Sequence, residues 1–152
     1  MAKYTAIYEF AQGPDCIYGI LSDVERMSEF MPLCKRSQVL SRRSMADAEV
    51  VEASILLRYR QIEFEHSLDL VATLRPDERR IEFATPDATF GSGTVRCTVT
   101  GAGRSGSRLL FESDYRVRNL LVRLFFARRV MRHGVDRVMD RVRQRAETIA
   151  GR

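Results

Sequence analysis

Polar and apolar residues alternate over Lys3–Phe10, which predicts a first strand. Gly13-Pro14-Asp15 stops it and opens a helix, because proline suits a first helical turn and Asp15 suits the positive N-terminal end. Ile17, Ile20, Leu21 and Val24 recur at helical spacing, so a short amphipathic helix is expected over 15–24. Glu25–Phe30 predicts another turn or two, ended by Pro32, which pushes its predecessor out of the α region. From residue 36 the period becomes two. Residues 38–42 predict a strand. Val51, Ala53, Ile55, Leu57 and Tyr59 predict one inward face, and Ile62, Phe64, His66, Leu68 and Leu70 a second. Pro76-Asp77 marks a turn, followed by a strand over 80–85 with Ile81 and Phe83 inward. Residues 86–93 read as loop. Val95, Cys97 and Val99, then Leu109, Phe111, Ser113, Tyr115 and Val117, mark two strands joined by a turn at Gly101–Gly106.

Asn119 can cap a helix from Leu120 to about Ile149. Leu121, Leu124, Met131, Val135, Val138, Val142, Ala146 and Ile149 form its apolar stripe, and Gly134 weakens it. Arg128 falls inside the stripe and either snorkels outward or anchors a polar head at a cavity mouth. The order is β, two short helices, about six antiparallel strands, then one long helix. The expected class is α+β, with a curved sheet wrapped around the C-terminal helix in one domain over 1–152. Such a wrap either leaves a cavity or closes on a filled core. His66, Tyr59, Tyr115, Ser113, Thr85 and Cys97 are polar on faces expected to point inward. His66 is read either as a ligand hydrogen-bond partner or as a locally satisfied core residue.

The chain has 152 residues and a formal charge of +5. Residues 119–152 carry nine arginines against three acids, so the excess lies on the C-terminal segment. Arg123, Arg129, Arg132, Arg137, Arg141 and Arg145 form the candidate basic surface, suited to an anionic membrane, ribosomal RNA or an acidic protein. A solvated helix face is the other reading. No apolar run approaches the roughly 20 residues of a spanning helix, and the start has no secretory core. The expectation is therefore a cytoplasmic protein, in peripheral contact with the inner face of the membrane at most. Cys16, Cys34 and Cys97 have neither disulfide nor zinc spacing, and His66 and His133 lie on different elements, so no metal is expected. There is no phosphate-binding loop and no nucleophile elbow. Ser113 or Cys97 beside His66 would be needed for nucleophilic catalysis. No catalytic residue and no DNA partner are expected.

Asp23-Val-Glu-Arg-Met-Ser-Glu-Phe-Met-Pro-Leu-Cys34 followed by Ser37-Gln-Val-Leu40 resembles the signature of one branch of the START-like (SRPBCC) superfamily. That branch holds the coenzyme-Q-binding proteins and the ribosome-association toxin RatA, and is related to polyketide cyclases. The likeness runs through nearly the whole chain and is sharpest over 23–34. It implies the helix-grip fold and a cavity beneath the long helix. It further implies a non-enzymatic carrier of a hydrophobic small molecule, ubiquinone or a similar prenylated lipid, with no other cofactor. A RatA-like factor on the large ribosomal subunit and an aromatase or cyclase using His66 and Tyr115 are the alternatives. The ligand-lining candidates are Phe30, Met31, Pro32, Ile55, Leu57, Tyr59, Phe64, His66, Leu68, Phe83, Val95, Phe111, Tyr115, Leu124, Arg128, Met131 and Val135. Phe30-Met31-Pro32 would gate the mouth. The pattern's Tyr-Pro is Met27-Ser28 here and the chain has no tryptophan, so the lining is remodelled.

Overall fold

The computed structural model describes residues 2–59, 64–88, 91–117 and 128–151. Strand β1 (Ala2–Phe10) is followed by helix α1 (Pro14–Ser22), a 3-10 turn (Val24–Arg26) and helix α2 (Met27–Phe30). Strands β2 (Cys34–Ser44), β3 (Glu49–Tyr59), β4 (Phe64–Arg75), β5 (Arg80–Ala88), β6 (Gly91–Ala102) and β7 (Gly106–Val117) come next, and helix α3 (Arg128–Ala150) closes the order. The strands form one antiparallel sheet in the order β1-β7-β6-β5-β4-β3-β2, so β1 and β2 are its edges.

Local chemistry accounts for most boundaries. Pro14 opens α1 with Asp15 in its first turn, and α2 stops at Phe30, two residues before Pro32. Gly103 takes a left-handed φ of 64° between β6 and β7, where glycine carries no Cβ penalty. Three expectations are corrected. The second strand runs from Cys34 to Ser44 rather than 38–42. Of the stretch 86–93, the described residues are strand and not loop: β5 continues through Pro86 to Ala88 and β6 begins at Gly91, with an irregularity between Thr85 and Ala88. Cross-strand pairing overrides the turn propensity of that stretch, and the irregularity absorbs the proline. In α3, Ile149 is 40% exposed, while Met139 is buried at 2%. Ile149 lies one residue before the helix ends and lines a surface cleft against α1. Asn119, Leu120, Leu121 and Leu124 lie outside the described residues.

The core lies between the concave face of the sheet and the three helices. Ile17, Ile20 and Leu21 of α1, Val24, Met27 and Phe30 meet Val51, Ala72, Ile81, Val99 and Leu109 of the sheet and Met139, Val142 and Ala146 of α3. Backbones crowd where β7 begins. A Cβ on Gly106 would stand 2.8 Å from the Phe10 carbonyl oxygen and 3.1 Å from that of Ala102. Beside it, Ser107 is fully buried and its Oγ has no protein partner.

Two adjacent substitutions should therefore differ sharply in urea unfolding. Gly106→Ala forces two backbones apart and should cost about 2–3 kcal/mol. Ser107→Ala removes an unsatisfied buried hydroxyl and should leave stability unchanged or raise it by up to about 1 kcal/mol.

Candidate functional site

The concave face is not packed evenly. At the end where α1, α2 and the last turns of α3 converge, the inward residues are closed off from solvent. Elsewhere on the inward face, Leu57, His66, Leu68, Phe83, Thr85, Val95 and Tyr115 are only half-buried, as is Met131 in the N-terminal part of α3. Strand register sorts these into two groups, Leu57 with His66 and Leu68 on β3–β4, and Phe83, Thr85, Val95 and Tyr115 on β5–β7. Leu57 stands opposite His66, Phe83 opposite Val95, Thr85 opposite Gly93, and Gly93 opposite Tyr115. Gly93 leaves a gap in that row, because a Cβ there would press within 3.3 Å of Tyr115 Cβ. Thr85 Oγ1 donates to the Gly93 carbonyl at 3.3 Å. Met31 packs half-buried against the same core, and Cys34 stands opposite Leu57, so the α2–β2 junction adjoins the first of these groups.

The proposed lining residues thus divide. Leu57, His66, Leu68, Phe83, Val95, Tyr115, Met131, Met31 and Pro32 are each half-buried. Phe30, Ile55, Phe111 and Val135 are enclosed in the core, where Phe111 meets the Tyr4 ring edge-on at 6.1 Å. The side chains of Tyr59, Phe64 and Arg128 lie outside the described residues, as does Leu124. Phe30 also floors a surface cleft of about 310 Å³ between α1, α2 and the end of α3. The cleft is lined further by Cys16, Gly19, Ile20 and Ile149, with a Glu29–Arg145 ion pair of 3.4 Å at its rim.

Nucleophilic catalysis by Ser113 or Cys97 beside His66 is overturned by register. Ser113 aligns through Val95 and Phe83 with Ala72, six residues along β4 from His66 and so roughly 20 Å away at about 3.3 Å per residue. Cys97 aligns through Ile81 with Leu74, farther still. Burial also pushes the Cys97 thiol up to about 12, which disfavours a thiolate. Among the described residues, no three metal-ligating side chains cluster.

On the basic helix, Arg132, Arg137 and Arg141 are exposed. Arg145 is paired with Glu29, so it belongs to the helix junction rather than to an open surface. Arg143 donates to the Glu9 carbonyl at 3.1 Å and its guanidinium lies 5.2 Å from the centre of the Phe10 ring. Arg123 lies outside the described residues, as does the Arg129 side chain. Sequence reasoning missed the central tie between helix and sheet. Tyr8 Oη donates to Asp136 Oδ1 at 2.7 Å. The signal was the parity of β1, which places Tyr8 on the face of Tyr4 and Phe10. Burial, then the hydrogen bond to Asp136, raises the Tyr8 phenol above its ordinary value of 10.

Helix-grip geometry with a half-open concave face now stands beside what is known of other proteins. Residues 12–143 match the model of the polyketide cyclase/dehydrase and lipid-transport family. The chain belongs to that family. Its description covers both cyclases and lipid transport. No curated protein matches the chain. Among solved structures, the Zhui aromatase/cyclase from Streptomyces sp. R1128 superposes with a TM-score of 0.81 at 12% identity, covering 96% of this chain and 93% of that one. A START superfamily protein from Mycobacterium smegmatis gives 0.77 at 15%, covering 97% and 98%. The 18 kDa protein CC1736 from Caulobacter crescentus gives 0.79 at 15%, covering all of both chains. At such identities the likeness is one of fold.

Two outcomes test this geometry. Tyr8→Phe should cost about 1–2 kcal/mol, since it leaves the Asp136 carboxylate without its donor. In the parent, the raised folded-state value stabilises the protein below pH 10, and that contribution is lost as pH rises above the unfolded value. Tyr8→Phe should therefore flatten the alkaline limb of the stability profile, measured by urea unfolding between pH 8 and 11. In native protein treated with N-ethylmaleimide, mass spectrometry should show one fast adduct, on half-buried Cys16, while buried Cys34 and Cys97 react only after unfolding.

Proposed function

We propose that this protein is a non-enzymatic carrier of a hydrophobic ligand of the prenylated-quinone class. The ligand would lie against the half-buried apolar residues of the concave face, beneath the N-terminal part of α3. The observation that supports this most is the uneven packing. Leu57, Leu68, Phe83, Val95 and Met131 are each only half-buried, and in this reading they form the apolar wall. His66, Thr85 and Tyr115 place a few polar groups on that wall, as an oriented ligand head requires. The Met31-Pro32 segment at the α2–β2 junction would gate entry. In this reading the carrier works in the cytoplasm, in peripheral contact with the membrane that holds its ligand. Among the described residues, no helix is long and apolar enough to cross a membrane.

Gentle purification, organic extraction and mass spectrometry test the reading. Stoichiometric prenyl lipid is the expected result. Leu68→Arg should reduce the bound lipid at least about tenfold with an unchanged circular dichroism spectrum, because a guanidinium in the apolar wall excludes the tail. Lipid retained in full by Leu68→Arg would place the ligand elsewhere.

A second reading rests on a separate observation. Arg132, Arg137 and Arg141 project from α3 with no ion pair among the described residues, as a RatA-like contact with the large ribosomal subunit would need. Co-sedimentation with that subunit should then fall steeply between 50 and 200 mM salt, on the order of tenfold or more, and Arg137→Glu with Arg141→Glu should abolish it.

A further inference from the structure

We propose that the free edge of the sheet along β2 is a docking surface for an anionic lipid bilayer. Five large apolar side chains are exposed among the described residues, and three of them belong to this element or its ends. Leu33 is 43% exposed, Leu40 58% and Met45 62%. Interleaved with them are Lys35, Arg36, Arg42 and Arg43, and residues 33–46 contain no acid. Arg36 and Arg43 have no ion pair among the described residues. Lys35 pairs with Glu65, and Arg42 with Glu25 and Glu49. The strand is 11 residues long, so the row extends for roughly 36 Å.

Two register shifts shape the row. Pairing with β3 skips Lys35 and Leu40, which are therefore the extra residues of bulges. A bulge re-aims its side chain and twists the edge away from a flat strand. Cations and bulges together are the usual protection of an edge against pairing with another strand. That protection leaves the three apolar side chains unexplained. A polyanion such as RNA would use the arginines but gain nothing from leucine and methionine. An anionic bilayer uses both, since cations meet its headgroups and apolar side chains enter the interface. The other edge strand, β1, is instead tied to α3 through Tyr8–Asp136 and Arg143. The Leu33 end of the row adjoins Leu57, where the Arg58 amide donates to the Leu33 carbonyl at 2.8 Å, so docking would bring the half-buried Leu57 side of the concave face to the lipid. Its purpose rests on the carrier reading, but its test needs no ligand.

The experiment is flotation of the full chain with phosphatidylcholine vesicles containing or lacking about 30% phosphatidylglycerol, at 50 and 150 mM salt. Binding is expected only to the anionic vesicles. Arg36→Glu with Arg43→Glu should weaken it at least about tenfold. Leu40→Ser with Met45→Ser should weaken it several-fold, and Arg137→Glu with Arg141→Glu on α3 should leave it intact. The chain has no tryptophan, so Leu40→Trp supplies a single reporter whose emission should shift blue on anionic vesicles. All these positions are exposed, and unchanged thermal midpoints would confirm that the variants fold. The proposal is overturned if the parent ignores anionic vesicles or the β2 charge reversal has no effect. It is equally overturned if the apolar pair proves irrelevant, which would point to RNA, or if Leu40→Trp keeps a water-exposed spectrum. Vesicle binding by a protein that carries no lipid would sink the carrier reading alone.

Discussion

One helix has to cover one face of seven strands. Strands about 4.8 Å apart make a sheet some 30 Å across, whereas a helix with its side chains is about 10–12 Å thick. The sheet must therefore curl around α3, and even then the helix cannot fill the whole concavity. At one end α1, the following turn and α2 supply the missing volume with Ile17, Ile20, Leu21, Val24 and Met27. Elsewhere nothing comparable is contributed by the described residues, and Leu57, Leu68, Phe83 and Val95 remain half-buried. The described residues thus cover the concave face unevenly.

That uneven cover locates the main source of stability. The filled end carries the large fully buried side chains, whose removal from water is the main favourable term in folding. The polar contacts around it act chiefly as locators. Tyr8–Asp136 is part-buried and sets the rotation of α3 against β1, while Arg143 on Phe10 and Arg145 on Glu29 hold its last turns. Most other ion pairs are exposed and contribute little individually. The family accommodates both lipid transport and cyclisation. Here register keeps Ser113 and Cys97 far from His66, so His66 does not activate either as a nucleophile.

Much of this could be read from residue patterns, because burial on one face imposes a period that the sequence must carry. Alternation placed Val51, Ala53 and Ile55, and later Leu109, Phe111 and Ser113, on the inner face, where they are buried. Proline and glycine marked the ends of α1, α2 and the β6–β7 turn, since their constraints are local. Residues 86–93 misled because their turn propensity is weak beside the pairing of β5 with β6, which depends on residues far along the chain.

Composition and periodicity by themselves determined the class of fold, the inward faces and the concentration of arginine on the last helix. They did so because each depends on residues near one another in sequence. Only the tertiary structure decided which end of the concave face is filled, that Arg145 is committed to Glu29, and that Tyr8 reaches Asp136, 128 residues away. It also decided that the basic, apolar row of β2 lies on a free edge. Those outcomes depend on strand order and helix placement, and so on which distant segments meet, a property no local period encodes.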